Sequence, residues 1–206
     1  MTAAMALAFG VLVSGNGTNL QAILDAVSAG SLAARVACVI SNRADAMALE
    51  RASRAGVPAL AIRHQTFESR EAFDRAIVAA LREHGVDWVV LAGFMRVLTP
   101  ELLRAFPGRV VNIHPSLLPA FPGVNAQRQA FEHGVKVTGC TVHFVDEGVD
   151  SGPIIAQRAV EIRPSDTVAT LSERIHVAEH ELFVNVLRDI ADGRLAPSNT
   201  AQRPRG

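Results

Sequence analysis

Asn112 and His114, an amide and an imidazole two residues apart, stand in the run Val110-Val-Asn-Ile-His-Pro-Ser-Leu-Leu-Pro119. Residues two apart on a strand point to the same face, and Pro115 then stops the strand, so both side chains are delivered together at its end. In α/β proteins ligands bind outside the carboxyl ends of the strands. There an amide and an imidazole make an oxyanion clamp with a proton-transfer group attached. The same pair also fits a turn-capping asparagine and a locally satisfied edge histidine. Asp150, in Val149-Asp-Ser-Gly-Pro153 just before an apolar run, is the third residue of interest. A carboxylate beside His114 would fix its tautomer and favour the charged ring, although turns select aspartate for purely local reasons too.

A second kind of chemistry resides in Ser14-Gly-Asn-Gly-Thr-Asn19, which joins an apolar run to a helical pattern. Backbone N–H groups and a helix N-terminus meet there, a geometry that binds an anion. No Gly-Lys-Ser/Thr follows, so this is not a nucleoside-triphosphate loop, and Leu20 occupies the place of the third glycine of a dinucleotide fingerprint. A single phosphate suits it, and a tight turn with Thr18 as helix cap is the local alternative. His176-Val-Ala-Glu-His180 fits H-x-x-E-H, two histidines a turn apart beside a glutamate, which raises a metallohydrolase. Zinc would need a third ligand, and downstream only Glu181, Asp189 and Asp192 are offered.

The elements that must position these residues follow from periodicity. Strands are predicted near 8–13, 35–40, 58–62 and 87–92 and at Asn112, alternating with helices near 18–29, 45–55, 69–84 and 99–105. That alternation specifies parallel strands joined by crossover helices, and all five strands read as buried. A loop and short helix near 117–133 lead to strands near 137–145 and 153–160, which lack a crossover and so form an antiparallel edge. A long amphipathic helix from Asp166 to Asp192 follows. The fold class is α/β: a Rossmann-like, mostly parallel twisted sheet of about seven strands, with helices on both faces and an antiparallel edge. Residues 1–195 are expected to form one domain and 196–206 a disordered tail.

The chain has 206 residues, 49% hydrophobic and 19% charged, with zero formal net charge. That is enough for a sizeable core, and it offers no global field for nucleic acid or an anionic membrane. Cys38 and Cys140 have neither C-x-x-C nor metal spacing and are expected to be buried reduced thiols. The apolar start, Met1 to Val13, has no basic leader and is read as a short tail and the first strand. No apolar run reaches the ~20 residues that span a bilayer, so a cytoplasmic protein is expected. His64, His84 and His133 are expected at the surface.

Taken together, Ser14-Gly-Asn-Gly-Thr-Asn-Leu20, Ser41-Asn-Arg-Ala-Asp45, Leu91-Ala-Gly-Phe-Met-Arg96, Asn112-Ile-His-Pro-Ser-Leu-Leu-Pro119 and Asp150-Ser-Gly-Pro153 resemble the phosphoribosylglycinamide formyltransferase family, from about Phe9 to about Leu195. The fourth and fifth motifs are shared with formyltransferases acting on other amines; the first loop narrows the choice. The resemblance implies formyl transfer from 10-formyltetrahydrofolate, as co-substrate, to the amine of a phosphoribosyl glycinamide in purine biosynthesis, with no metal. It makes Asn112, His114 and Asp150 catalytic, and it assigns Gly17, Thr18 and Asn19 to the substrate phosphate and Glu179 to the ribose. Folate falls to Arg70, Met95, Arg96, Val97, Leu98, Asp146, Glu147, Gly148, Val149 and Asp150. From residue type alone Arg70 is more simply a solvated helix-start charge, and Met95, Val97 and Leu98 more simply core. Partners would be small molecules, without nucleic acid or membrane, and a homodimer stays open. One departure stands out: after Pro122-Gly123 the family commonly carries histidines, where this chain has Asn125 and Gln127. His143 keeps the family residue and is left outside the catalytic set. A non-catalytic nucleotide-binding module, and formyltransferases for methionyl-tRNA or amino sugars or a formyltetrahydrofolate hydrolase, are the rival readings. The methionyl-tRNA enzymes usually carry an additional C-terminal domain and the hydrolase an N-terminal one, and this chain is expected to have room for neither.

Overall fold

The structure, a computed structural model, describes residues 6–198. Seven strands form one sheet in the order β3-β2-β1-β4-β5-β6-β7. They are β1 (Leu7–Val13), β2 (Ala34–Ser41), β3 (Ala59–Ala61), β4 (Trp88–Leu91), β5 (Val110–His114), β6 (Val137–Phe144) and β7 (Ile154–Glu161). The first five are parallel, and β6 and β7 run antiparallel at one edge, as the missing crossover helix requires. Burial corrects one expectation: β3 is a three-residue edge strand with Ala59 and Ala61 exposed, too short to be covered on both faces.

Among the described residues six α-helices cover the sheet: α1 (Thr18–Ser28), α2 (Met47–Arg54), α3 (Arg70–Glu83), α4 (Pro100–Ala105), α5 (Ala126–His133) and α6 (Val168–Ala191). Alternate residues of each strand face opposite layers. Val11, Val13, Val111 and Ile113 enter a core with Leu20 and Ile23 of α1, Ala48 of α2 and Phe183 of α6. Leu12, Leu91 and Val110 enter a second core with Phe73 and Ile77 of α3 and Leu102 of α4. Each buried leucine or phenylalanine contributes about 1.5–3 kcal/mol, so both layers are substantial.

Local signals set the helix ends. Ser69 caps α3, its hydroxyl accepting from the Ala72 N–H at 3.1 Å, and Thr167 and Thr170 form a reciprocal capping box on α6. Helix α1 differs. Its N-cap is Gly17 in the left-handed region at φ 78°, without a side-chain cap, and Thr18 lies inside the helix rather than capping it. A Cβ on Gly17 would lie 2.6 Å from the Ala48 Cβ, so only glycine lets the loop rest on α2.

Strand order reverses direction between β1 and β4, which opens a crevice at their carboxyl ends. Of the predicted tail, Ser198 donates its N–H to Gly108 O at 2.9 Å; residues 199–206 and 1–5 lie outside the described ones. Cys38 and Cys140 are buried free thiols. No helix among the described residues is long and apolar enough to cross a membrane.

Candidate active site

A cavity of about 890 Å³ occupies that crevice. Its lining includes the Ser14–Asn19 loop, the Ala92–Leu98 segment after β4, Asn112 and His114 on β5, His143 on β6, the β6–β7 loop and Glu179 on α6. Asn112 pairs directly with His143 across the antiparallel β5–β6 ladder, and His114 with Thr141, so the polar side chains share the face that carries Val110.

Because β6 runs against β5, the β6–β7 loop leaves beside the start of β5, where Val145 donates its N–H to Val110 O. Asp150 reaches His114 only by folding back over the face of the strands. There its Oδ2 lies 3.3 Å from His114 Nδ1, and its Oδ1 lies 3.7 Å from His143 Nε2. The Gly123 N–H donates to the same Oδ2 at 2.8 Å, tying the two loops together. Asp146 shapes the return, its Oδ1 accepting from the Gly148 N–H at 3.1 Å and the Ser151 hydroxyl at 2.8 Å.

His114 is 4% exposed, and both of its ring nitrogens face acceptors. Nδ1 meets Asp150, and Nε2 lies 2.9 Å from Phe121 O. Only the doubly protonated ring donates to both. Among the described residues, three that are not glycine have left-handed backbones, Phe121 (φ 54°), Asn125 (φ 58°) and Asp150 (φ 52°), and all three lie in the loops around this ring. At Phe121 the strain of about 1–3 kcal/mol persists only where surroundings enforce it, whereas asparagine and aspartate tolerate the left-handed region. Here the left-handed backbones aim the Phe121 carbonyl and the Asp150 carboxylate at one imidazole.

His143, which sequence reasoning left outside the catalytic set, orders the amide. Its Nδ1 lies 2.8 Å from Phe144 O and must carry the hydrogen. Burial, the largest influence, pushes its pKa down, so the ring is neutral and Nε2 is a bare acceptor. The group of Asn112 facing it at 3.1 Å is therefore the NH2, leaving the second N–H of that amide for a ligand. The match to the family residue pointed to this neighbourhood, but the role itself needed the β5–β6 register to be read.

On the other side of the cavity, the α1 N-terminus has neither a side-chain cap nor an acidic residue in its first turn, so its N–H groups are open to an anion. Arg51 of α2 braces the loop, donating to Asn16 O at 2.8 Å and Asn16 Oδ1 at 2.7 Å. Asn19 donates its side-chain amide to Glu179 Oε2 at 3.4 Å, while its Oδ1 is buried without a partner among the described residues. Glu179 is 4% exposed. Burial raises its pKa to about 7, against a smaller lowering by the Asn19 hydrogen bond. His176 Nε2 lies 4.0 Å from the same carboxyl oxygen. Among the described residues no group of three or more His, Cys, Asp or Glu could hold a metal, so H-x-x-E-H does not assemble the ligand set zinc needs.

Of the residues attributed to folate, Met95, Arg96, Val97, Leu98, Asp146, Gly148, Val149 and Asp150 line the cavity, and Arg70 and Glu147 do not. The Arg70 guanidinium instead donates to Val97 O at 2.8 Å. Asn125 and Gln127 both line the cavity, so the departure in that loop faces the site. His64 and His84 are half-buried rather than at the surface, against Asn42 and Ala80 O respectively. His133 is exposed, its ring edge-on to Phe121.

Residues 8–187 match the formyl transferase family. Over 182 residues the chain is 45% identical to the phosphoribosylglycinamide formyltransferase of Bacillus subtilis (strain 168), covering 88% of this chain and 93% of the relative. This chain belongs to the phosphoribosylglycinamide formyltransferase family. A crystal structure of glycinamide ribonucleotide transformylase 1 from Symbiobacterium toebii superposes with a TM-score of 0.91 at 56% identity, covering 95% of this chain and 92% of that one. The trifunctional purine biosynthetic protein adenosine-3 of Drosophila pseudoobscura pseudoobscura is 50% identical over 187 residues, yet the chain spans only 14% of its length. Membership in this transformylase family makes the chain an enzyme rather than a binding module.

Proposed function

We propose that the chain transfers the formyl group of 10-formyltetrahydrofolate to the amine of N1-(5-phosphoribosyl)glycinamide, with residues 1–195 acting as one unit. The observation that carries this reading is the meeting of Asn112, His114 and Asp150 in a single cavity with an uncapped helix N-terminus. The α1 N–H groups at Gly17, Thr18 and Asn19 take the phosphate. Asn19 and Glu179 take the ribose hydroxyls, for which a buried bare Oδ1 and a carboxyl near neutrality are suitable partners. Folate lies against Met95–Leu98 and the Asp146–Asp150 loop.

The neutral substrate amine attacks the formyl carbon, forming a C–N bond and pushing the carbonyl pair onto oxygen. The free N–H of Asn112 and the positive ring of His114 stabilise that oxyanion. Asp150 holds the ring charge and accepts the proton leaving the amine through a water; the bond to folate N10 then breaks as N10 takes up a proton. No enzyme nucleophile is needed, and alignment of two bound substrates supplies much of the acceleration.

An assay of formyl transfer to phosphoribosyl glycinamide, with water as the competing acceptor, tests the reading. Wild type should formylate the amine far faster than it hydrolyses the donor. His114→Ala and Asp150→Asn should each lower turnover on the order of a hundredfold or more while keeping the native circular dichroism. Folded wild type that only hydrolyses the donor would sink the proposal.

A further inference from the structure

The Gly93–Thr99 segment after β4 has no strand or helix ladder of its own to hold its backbone, yet it forms one wall of the cavity. A backbone bond from the Ser14 N–H to Gly93 O at 3.1 Å holds its start, and side chains from other elements hold the rest. The Met95 N–H donates to Ser14 Oγ at 2.8 Å, and the Ser14 hydroxyl in turn donates to Asn42 Oδ1 at 2.6 Å. At the other end, the Thr99 N–H and hydroxyl donate to one oxygen of Asp74, at 2.6 and 2.8 Å. Ser14 is 5% exposed, Asn42 4% and Asp74 2%, so these bonds are sheltered from competing water. Arg70 adds an exposed bond to Val97 O between them.

Ser14 opens the anion loop, and its hydroxyl would on that ground be read as a phosphate ligand. Its geometry says otherwise, because donor and acceptor capacity are both engaged, with Asn42 and Met95. Asp74 is equally remote from the reacting atoms: it lies on α3, binds Thr99 at the N-cap of α4 and is absent from the cavity lining. Both side chains nonetheless fix backbone on the donor side. We infer that Ser14 and Asp74 are positioning residues for the formyl donor, clamping the two ends of the Met95–Leu98 wall so that their loss weakens folate binding and spares the phosphoribosyl substrate. The inference rests on the proposed transferase reading for which ligand that wall meets.

The test is steady-state kinetics in both substrates, together with calorimetric titration of tetrahydrofolate, the product form of the donor, into wild type, Ser14→Ala, Asp74→Ala and Asp74→Asn. Ser14→Ala and Asp74→Ala should raise the donor KM and the tetrahydrofolate Kd about five- to tenfold, the scale of one sheltered hydrogen bond. The KM for the phosphoribosyl substrate should stay within about twofold of wild type. Asp74→Asn keeps an oxygen acceptor for both hydrogens and should restore most of the donor affinity. Loss shared equally by both substrates, loss confined to the phosphoribosyl substrate, or no change would overturn the assignment. Should Asp74→Ala fail to fold, Ser14→Ala and Asp74→Asn decide it. Absence of formyl transfer in wild type would count against the transferase reading, whereas the tetrahydrofolate titration would still report on the clamp.

Discussion

His143 governs which end of the Asn112 amide meets the cavity, because its Nδ1–H is committed to Phe144 O and its Nε2 can only accept. Replacing it with alanine frees the amide to rotate while leaving the substrate contacts in place. His143→Ala should therefore lower kcat about tenfold or more with little change in either KM, measured by steady-state kinetics. Glu179 presents a different residue-scale effect. Its folded pKa of about 7 lies above the ordinary carboxylate value, so between about pH 4.5 and 7 the native state holds a proton that the unfolded chain has released. Stability is then lost as pH rises through that window. Thermal denaturation across pH 5 to 8 should show wild type losing stability relative to Glu179→Gln, with the gap opening toward the alkaline side. The left-handed backbone of Asp150 bears on the variant chosen there: asparagine tolerates that conformation and alanine does not, so Asp150→Asn removes the charge without confounding it with strain.

At the scale of elements, the open α1 N-terminus depends on Gly17 lying flush with Ala48. Gly17→Ala would impose a left-handed penalty of about 1–2 kcal/mol and drive its methyl into α2. The KM for the phosphoribosyl substrate should rise at least about tenfold, with the donor KM largely kept, and kinetics in both substrates checks it. Most elements were legible in the sequence because apolar runs and helical periodicity are local properties. Helix α3 followed from its apolar periodicity, and the antiparallel edge from a loop too short for a crossover. What the sequence left open had non-local causes. Thr18 has the chemistry of a cap, but contact with α2 draws Gly17 into that place. The exposure of β3 depends on sheet order. The fold-back of Asp150 depends on the direction of β6, and the role of His143 on a register between strands far apart in sequence. The Arg70 guanidinium meets the Val97 backbone carbonyl, a contact that no side-chain pattern reveals.

For the molecule as a whole, the burial of both thiols gives a direct check on the core. Desolvation pushes Cys38 up to about 11, opposed by nearby Arg35, and Cys140 up to about 12. Neither forms thiolate near neutral pH, so both should resist Ellman's reagent in the native protein and react fully in denaturant. Rapid labelling of either thiol without denaturant would contradict the packing described. The sheet also divides the protein in two. The anion loop leans on the layer that includes Leu20, Ile23 and Ala48, whereas the Met95–Leu98 wall leans through Phe94 and Leu98 on the layer beneath α3 and α4. Under the proposed reading the two ligands lean on separate hydrophobic layers, joined where Ser14 of the anion loop holds Met95. Selection for a changed pterin preference ought to accumulate substitutions behind one side of the partition, and tolerance of altered sugars behind the other, with few trade-offs between them.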